Sequence, residues 1–350
     1  MPARRSGIAI VIIAAGLCAS FVPAAETAPE ELPSLSSQRA RKLGAPLAPP
    51  YALVVRPRDP QYYNGVDAVA LDPKSLRPTS RTPTVLSCNR VHASAAGEIL
   101  CFSTSVPGRP GTLSTPTVYI HASDLTLRAQ HPTGSSGTPS RARMSFDGRY
   151  VATTEFTRGH SYEGAGGVSF STATQIAPAI APELGENLEK WTVTRAGAKV
   201  TSVDLNLWGV TFSPSDSDRF YVTAFFDGVA HLGEGSMRTR AIAVLRDGVE
   251  CPSFSPDGRR LAFKKRNGPT KWSPAILEVA SMKETVFEVG HSVDDQIEWL
   301  DDDTLVYEVV SFPPIGKPSI NLMSLRVGDP QPKEELWLQD ARSPTFIRRK

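Results

Sequence analysis

Six histidines are the side chains of this 350-residue chain best suited to acid–base or metal chemistry, and they lie far apart in the sequence. Metal-binding motifs usually place neighbouring ligands about two to five residues apart. The chain also lacks Gly-x-Ser-x-Gly, His-Glu-x-x-His and Cys-x-x-Cys motifs and any phosphate-binding glycine loop. We therefore predict no catalytic residue, no metal and no cofactor. The alternative is an enzyme whose metal site is assembled from distant histidines, namely His92, His121, His131, His160, His231 and His291.

An acidic segment, residues 294–303, is the second candidate for chemistry, because it contains five aspartates and one glutamate. Calcium needs several oxygen ligands in a flexible loop. However, the segment lacks the Asp-x-Asp-x-Asp-Gly spacing, and residues 301–303 fall on an expected hairpin turn, where aspartate commonly bonds its own backbone. We predict a solvated turn, with calcium binding as the alternative.

Three segments, residues 157–164, 264–272 and 311–317, combine cations with aromatic rings. Exposed groups of these two kinds together favour the binding of peptides, proteins or anionic glycans. The alternative is a set of ordinary solvated loops. In the repeat described below, these segments join second to third strands, so we expect them to share the rim opposite the Asp-Gly turns. The predicted ligand-binding residues are Arg158, His160, Tyr162, Lys264, Lys265, Arg266, Lys271 and Trp272.

Cysteine usage predicts one disulfide. Cys88 and Cys101 flank two apolar runs around a small turn centred near Ala95, so that a hairpin would place the cysteines opposite each other. Two separate buried thiols are the alternative. Cys251 is predicted to be a small buried hydrophobe.

The N-terminal region predicts export. Residues 1–25 begin with two arginines, continue through an apolar core at residues 8–17 and end in small residues, as a signal peptide does. We expect cleavage near Ala24 or Ala25, with an uncleaved anchor as the alternative. Residues 26–50 are rich in proline, serine and alanine and are predicted to form a flexible linker. The protein is then secreted, periplasmic or associated with the cell wall, and the mature chain has no stable membrane span.

The charge balance excludes one class of partner. The chain has 38 basic and 36 acidic residues, and residues 1–25 contain two of the bases and no acid, so the mature chain has 36 of each. A protein that binds a polyanion usually carries a basic surplus to neutralise phosphates. Nucleic acid is therefore not a predicted partner.

The positions of all these candidates depend on a repeat that runs through the rest of the chain. Residues 251–263 read as a short strand, a Pro-Asp-Gly turn and a second strand, which is a hairpin signal. Related segments align at their last inward positions with spacings of 51, 68, 42 and 45 residues. Periods near 40–50 residues, each with about four short strands, are typical of β-propeller blades. The aligned positions are Ala93, Met144, Phe212, Phe254 and Trp299.

The outer strands and the ring closure follow from the same pattern. Third strands are predicted at residues 117–121, 240–245, 274–279 and 320–325, and a fourth strand at 284–289. Five units leave a lone first strand at the C-terminus and outer strands at the domain start. Combining them in one blade would close a sixth blade from residues 51–55, 66–71 and 343–348.

The widest spacing results from an insertion at residues 169–207, with an amphipathic-looking stretch at 183–191. Elongated outer strands with a decorated loop are the simplest interpretation. An elaborated blade edge and a partner-docking element are the alternatives.

The motif PSFSPDGRRLAF and its weaker copies resemble the WD40-like repeats of TolB-type six-bladed β-propellers over residues 51–350. The stretches SFDGRYVATTEFTRGHSY, WGVTFSP and SVDDQIEWLDDDTLVY are further similar to exported TolB-like proteins of unassigned role in high-GC Gram-positive bacteria. The resemblance implies an all-β scaffold with four-stranded antiparallel blades and no inherited catalytic residues.

The predicted function is that of an exported, non-enzymatic, monomeric binding module of the cell envelope. Its expected partner is an envelope protein, a peptide or a glycan. The alternative is a propeller enzyme, a lyase or hydrolase, with a metal-assisted site in the central channel.

Overall fold

The computed structural model describes residues 48–57, 64–105, 113–159, 170–293, 295–312 and 318–348. The predicted signal peptide and almost all of the predicted linker lie outside these residues. The described part is all-β apart from two single 3₁₀ turns at Pro182–Leu184 and Leu188–Lys190. In this part of the chain no helix is long and apolar enough to cross a membrane.

Twenty-six strands make up the described fold. The first thirteen are β1 (Tyr51–Val55), β2 (Gly65–Leu71), β3 (Pro78–Ser87), β4 (Arg90–Ala93), β5 (Ile99–Ser105), β6 (Leu113–His121), β7 (Leu127–Pro132), β8 (Thr138–Met144), β9 (Tyr150–Arg158), β10 (Ser171–Pro178), β11 (Glu186–Asn187), β12 (Thr192–Arg195) and β13 (Ala198–Lys199). The remainder are β14 (Asn206–Phe212), β15 (Arg219–Phe226), β16 (Val229–Ser236), β17 (Ala241–Asp247), β18 (Glu250–Phe254), β19 (Arg260–Arg266), β20 (Trp272–Glu278), β21 (Glu284–Val286), β22 (Glu298–Trp299), β23 (Thr304–Ser311), β24 (Ser319–Arg326), β25 (Glu334–Leu338) and β26 (Arg342–Ile347).

These strands form six antiparallel blades, and each blade has an inner strand followed outward by three more. Blade 1 is β26-β1-β2-β3, blade 2 is β4 to β7, blade 3 is β8 to β11, blade 4 is β14 to β17, blade 5 is β18 to β21 and blade 6 is β22 to β25. The five aligned positions each end an inner strand. The all-β six-bladed propeller predicted from the repeat is confirmed.

The turns between the first two strands explain why the repeat is visible in the sequence. In blade 5, Ser255 Oγ donates to Asp257 Oδ1 at 2.6 Å, and Gly258 adopts a φ of 71° that side-chain-bearing residues rarely take. Blade 3 repeats this arrangement with Asp147 and with Gly148 at φ 76°. A backbone requirement therefore fixes the same residue types at the same place in these two units.

The two ends of the domain meet in blade 1. The C-terminal strand β26 pairs antiparallel with β1, with Tyr51 opposite Ile347 and Leu53 opposite Thr345. This confirms the predicted closure of the ring by N- and C-terminal strands. The apolar core lies in the six seams between neighbouring blades, where each seam has its own buried cluster.

The predicted disulfide is present, with the Cα atoms of Cys88 and Cys101 5.3 Å apart. Its setting differs from the prediction, because the residue opposite Cys101 is Val91 and not Cys88. Cys88 instead lies just before β4, where the chain passes from blade 1 to blade 2. The bond therefore fastens the chain crossing next to the closing blade.

One strand prediction is wrong. Residues 240–245 belong to β17, the fourth strand of blade 4, and the third strand is β16. The segment was missed because β16 contains Gly233 and Gly235, which weaken a strand pattern. Both are required by packing: a Cβ at Gly235 would lie 2.1 Å from the Phe220 ring.

The insertion elaborates an outer edge. Its strand β12 pairs in parallel with β17 and extends the sheet of blade 4 to six strands. Residues 183–191 contain most of the first 3₁₀ turn, the short strand β11 and the second 3₁₀ turn, and Trp191 packs edge-on against Phe220 at a centroid distance of 5.9 Å. The elaborated blade edge is the alternative that the structure shows, and partner docking there stays a prediction.

Candidate functional site

Alternating strand direction divides the connections of the ring between two faces. The Asp-Gly turns lie on one face, which we call the turn face. The loops between second and third strands lie on the opposite face together with the linkers that enter each inner strand. We call this the loop face, and the described parts of the predicted cationic and aromatic segments belong to it.

Two of the predicted loop-face residues are buried. Lys264 and Trp272 each have 0% of their surface exposed. Trp272 Nε1 donates a hydrogen bond to Glu250 Oε1 at 2.9 Å, and its ring lies 4.8 Å from Lys264 Nζ and 4.4 Å from the Arg266 guanidinium carbon. The prediction that Lys264 and Trp272 are exposed is therefore wrong, because strand alternation turns both into the core and cation–π contacts cover the ring.

The other members of the set retain exposed surface. Lys265 Nζ contacts Glu284 Oε1 at 2.9 Å, and Arg266 Nε contacts Glu250 Oε1 at 3.2 Å. Lys271 is half-buried and Arg158 is exposed at the end of β9. His160 and Tyr162 lie outside the described residues. Ligand binding by this set stays a prediction, now carried by Arg158, Lys265, Arg266 and Lys271 among the described members.

Charged residues in the central channel form a second site, which the sequence analysis missed. Near the loop face, Arg90 Nη1 lies 3.5 Å from Asp295 Oδ2 and Arg141 Nη1 lies 3.1 Å from Asp295 Oδ1. Beside them, Arg342 Nε lies 3.4 Å from Glu308 Oε2. We call these five residues the mouth cluster. They come from blades 1, 2, 3 and 6, because the inner strands of these blades meet here.

Burial and mutual charge control the titration of the mouth cluster. Burial lowers the pKa of Arg90 to about 10, against the attraction of Asp295. Burial alone would raise the pKa of Asp295, but Arg90, Arg141 and Arg342 hold it well below its usual range. Asp295 is therefore a carboxylate at neutral pH, and Arg90 remains a cation.

A second group of charges, the floor cluster, lies one layer closer to the turn face and consists of His92, Arg143, Glu298 and Arg348. Arg143 forms an ion pair with Glu298 and donates to Ser253 Oγ and Ile297 O, both at 3.2 Å. His92 Nε2 lies 3.7 Å from Glu298 Oε1, while its Nδ1 accepts from the Met144 amide at 3.0 Å. Arg348 donates to the carbonyls of Trp299 and Leu300.

Burial and Arg143 lower the pKa of His92, so its ring is neutral near pH 7 and its Nδ1 is able to accept. Burial would raise the pKa of Glu298, but Arg143 and His92 lower it.

Gln296 spans the channel between the two clusters. Its Nε2 donates to Pro252 O at 2.7 Å and lies 3.4 Å from Val210 O, so that blade 6 is joined to blades 4 and 5. Along the inner strands from the loop face to the turn face, the mouth cluster comes first, followed by Gln296 and then the floor cluster.

The acidic segment serves two purposes. Asp301 and its neighbours form the turn between β22 and β23, where Asp301 Oδ1 accepts from the Asp303 amide at 2.8 Å, as predicted for a turn. Asp295 and Glu298 enter the channel instead. Among the described residues, no three His, Cys, Asp or Glu side chains are grouped so that they could hold a metal ion.

A period-two signal in the sequence could have revealed the channel site. Arg90 and His92 alternate on β4, and Arg141 and Arg143 alternate on β8. Such polar residues on inner strands of a propeller point to the axis. The acidic partners lie about 150 to 205 residues away, so that the pairing itself is invisible in the sequence.

A shallow groove of about 340 Å³ lies on the outside of blades 5 and 6 and is lined partly by Phe287, Leu325 and Glu334. Glu334 accepts from Tyr307 Oη at 2.7 Å and lies 2.7 Å from His291 Nε2. The Glu334 carboxylate raises the pKa of His291. His291 therefore makes a contact within the fold, and it lies away from the channel site.

Comparison with solved structures gives the fold type. TolB from Acinetobacter baumannii matches with a TM-score of 0.58 at 14% identity, over 86% of this chain and 67% of that chain. A nidogen/laminin complex matches with a TM-score of 0.52 at 11% identity, over 85% of this chain and 98% of that chain. The fold is that of TolB-like six-bladed β-propellers. At these identities the likeness concerns the fold alone.

Sequence comparisons add no family assignment. No family model matches the chain, and no curated protein matches it. An oligogalacturonate lyase in complex with manganese is also structurally similar, with 9% identity over 74% of this chain and 73% of that chain, but its TM-score of 0.42 is too low to support an inference about activity.

Proposed function

We propose that this protein is an exported, non-enzymatic binding module of the cell envelope, which captures an acidic partner at its loop face. One observation carries the proposal. The channel carboxylates Asp295, Glu298 and Glu308 each lie within ion-pair distance of an arginine. A carboxylate held in this way is a poor general base or metal ligand, because its lone pairs and its charge are already engaged.

Two further features support capture at the loop face. Arg158, Lys265, Arg266 and Lys271 bring positive charge to its outer part, and the mouth cluster brings arginines to its centre. Complementary charge of this kind mainly speeds association and selects the partner.

Export is part of the proposal. The predicted signal peptide at residues 1–25 lies outside the described residues, but the disulfide between Cys88 and Cys101 agrees with an oxidising compartment. TolB from A. baumannii, a bacterial protein, shares the fold.

The loop face is tested by affinity capture from envelope extract of the source organism. The double variant Lys265→Gln/Lys271→Gln removes two charges and leaves Arg266, which covers the buried Trp272. The matched control Arg238→Gln/Arg259→Gln removes two highly exposed charges from the turn face. We expect the first variant to recover several-fold less partner than the wild type, and the control to recover the same amount. Equal recovery with all three proteins would refute capture at the loop face.

The enzyme alternative makes a different prediction, which metal analysis tests. A propeller lyase or hydrolase with a metal-assisted site would purify with stoichiometric zinc, manganese or calcium. We expect less than a tenth of an equivalent of each metal after dialysis, because dialysis removes a metal that binds adventitiously with roughly millimolar affinity. One equivalent of any of them, lost on mutation of a channel residue, would favour the enzyme.

A further inference from the structure

Among the described residues, the mouth cluster has more cations than acids. Three guanidinium groups, of Arg90, Arg141 and Arg342, face two carboxylates, of Asp295 and Glu308. All five side chains are largely buried, and Arg342 is the most exposed at 27%. An unbalanced charge in such a site interacts more strongly with an incoming charge than it would in water.

The ion pairs of the mouth cluster also leave hydrogen-bond donors unused. Arg90 Nη1 and Arg342 Nε are both buried and, in the described part of the chain, neither makes a hydrogen bond. Their nearest acidic oxygens lie 3.5 and 3.4 Å away, at ion-pair distance only. A buried donor without an acceptor costs free energy, and a ligand oxygen that reached it would recover that cost.

The site favours a carboxylate as the ligand group. Gln296 and the floor cluster follow the mouth cluster along the inner strands towards the turn face. A ligand group from the loop face therefore contacts the mouth arginines first, and a carboxylate on an acidic side chain or a chain end matches the planar donors of arginine.

A peptide fits the site better than an acidic glycan does. Sugar rings need exposed aromatic surface beside the charges that bind them. Trp208 and Trp272 on the loop face are 1% and 0% exposed, and the exposed ring of Phe312, in the β23–β24 loop, is not part of the mouth cluster. An extended peptide needs only charge and backbone contacts at a narrow opening.

We propose that the mouth cluster is a carboxylate-binding site that recognises an acidic peptide segment of the captured partner. This inference rests on the proposed binding function and specifies its ligand chemistry. Asp295 acts as an internal competitor, because it occupies the arginines that the peptide carboxylate would contact.

The competitor role gives a test in which a substitution improves binding. The probe is a fluorescein-labelled peptide, Gly-Asp-Gly-Glu-Gly-Asp, and fluorescence anisotropy measures its affinity for the purified protein. Asp295→Asn keeps the shape of the side chain and removes its charge. We expect roughly tenfold tighter binding by this variant than by the wild type, and weakening of both by salt. Asp147→Asn, the same change at a turn-face residue, should bind as the wild type does.

A second variant covers the case in which Asp295→Asn fails to fold. Arg342→Gln removes the most exposed guanidinium, and we expect about fivefold weaker binding of the acidic peptide. The uncharged peptide Gly-Asn-Gly-Gln-Gly-Asn should bind to none of these proteins.

Three results would overturn the inference: an Asp295→Asn affinity no higher than that of the wild type, equal binding of the uncharged peptide, or binding of an oligogalacturonate without binding of the peptide. If partner capture still depends on Lys265 and Lys271 while the mouth variants have no effect, the proposed function stands and only this inference fails. If no variant changes capture, both fail.

Discussion

The mouth and floor clusters of the channel both pair arginines with carboxylates, but their arginines have different numbers of partners. In the floor cluster, Arg143 has a carboxylate, a hydroxyl and a carbonyl as acceptors, and its buried Nε makes no hydrogen bond within the described residues. In the mouth cluster, Arg342 has one carboxylate at 3.4 Å and a buried Nε without a hydrogen bond. The difference indicates that the floor cluster holds blades together, whereas the mouth cluster keeps binding capacity for a ligand.

Removing the central arginine of the floor cluster should give the largest effect. Arg143→Met leaves Glu298 buried without its ion-pair partner, although His92 and Arg348 remain near it, and loss of one partner of a buried pair costs about 3–5 kcal/mol. Urea unfolding followed by circular dichroism measures the change. The double variant Arg143→Met/Glu298→Gln should recover part of the loss, because it removes the uncompensated charge. A loss below about 1 kcal/mol would mean that the floor cluster is not structural.

The two clusters should also lose stability in different pH ranges. The pKa of His92 is lowered in the folded protein, so its contribution is present above pH 6.5 and is lost as the pH falls through the folded value. The pKa of Asp295 is lowered as well, so the mouth cluster weakens only below about pH 3.8.

Melting temperatures at pH 7 and pH 5 test this difference. His92→Asn retains an acceptor for the Met144 amide but does not titrate, so it should lose less stability over this range than the wild type. His121, whose pKa is also lowered by burial, is present in both proteins and cancels in the comparison. An identical fall in melting temperature for both would rule out His92 as the titrating group.

The smallest expected effect concerns the mouth cluster. Arg342→Gln should lower the free energy of unfolding by less than about 1 kcal/mol, because its side chain is 27% exposed and its ion pair is long. Chemical denaturation beside Arg143→Met provides the comparison. If Arg143→Met and Arg342→Gln lower the free energy of unfolding by the same amount, the clusters do not differ in the way their pairing indicates.

The repeat and the closure of the ring could be predicted because they depend on local chemistry. Asp257 and Gly258 mark a turn whose backbone angles few residues adopt, and the same turn returns in blade 3. The strand β16 escaped prediction because Gly233 and Gly235 make room for side chains of neighbouring strands. That space is a property of packing, and the glycines that provide it interrupt the alternation of apolar and polar residues by which a strand is recognised.

The disulfide was predicted correctly, but the strand register that the prediction assumed was wrong. Hairpin symmetry placed Cys88 opposite Cys101, but the strands pair with Val91 at that position. The two cysteines still meet, because Cys88 lies at the crossing from blade 1 to blade 2 and approaches β5 from there.

The candidate site was the least predictable part. The sequence indicated cations and a tryptophan on the loop face. The burial of Lys264 and Trp272, however, depends on contacts with Glu250 and Arg266, which lie elsewhere in blade 5. Burial results from neighbours in space, and composition alone does not reveal them.

The sequence by itself determined most of the strands, the number of blades and the meeting of the chain ends, because turn chemistry and alternation act over a few residues. Only the tertiary structure decided which charges face each other. Arg141 and Asp295 are 154 positions apart and become neighbours when the ring closes. Their interaction falls off with distance in space, so the axis of the ring, and not the order of the chain, selects the partners.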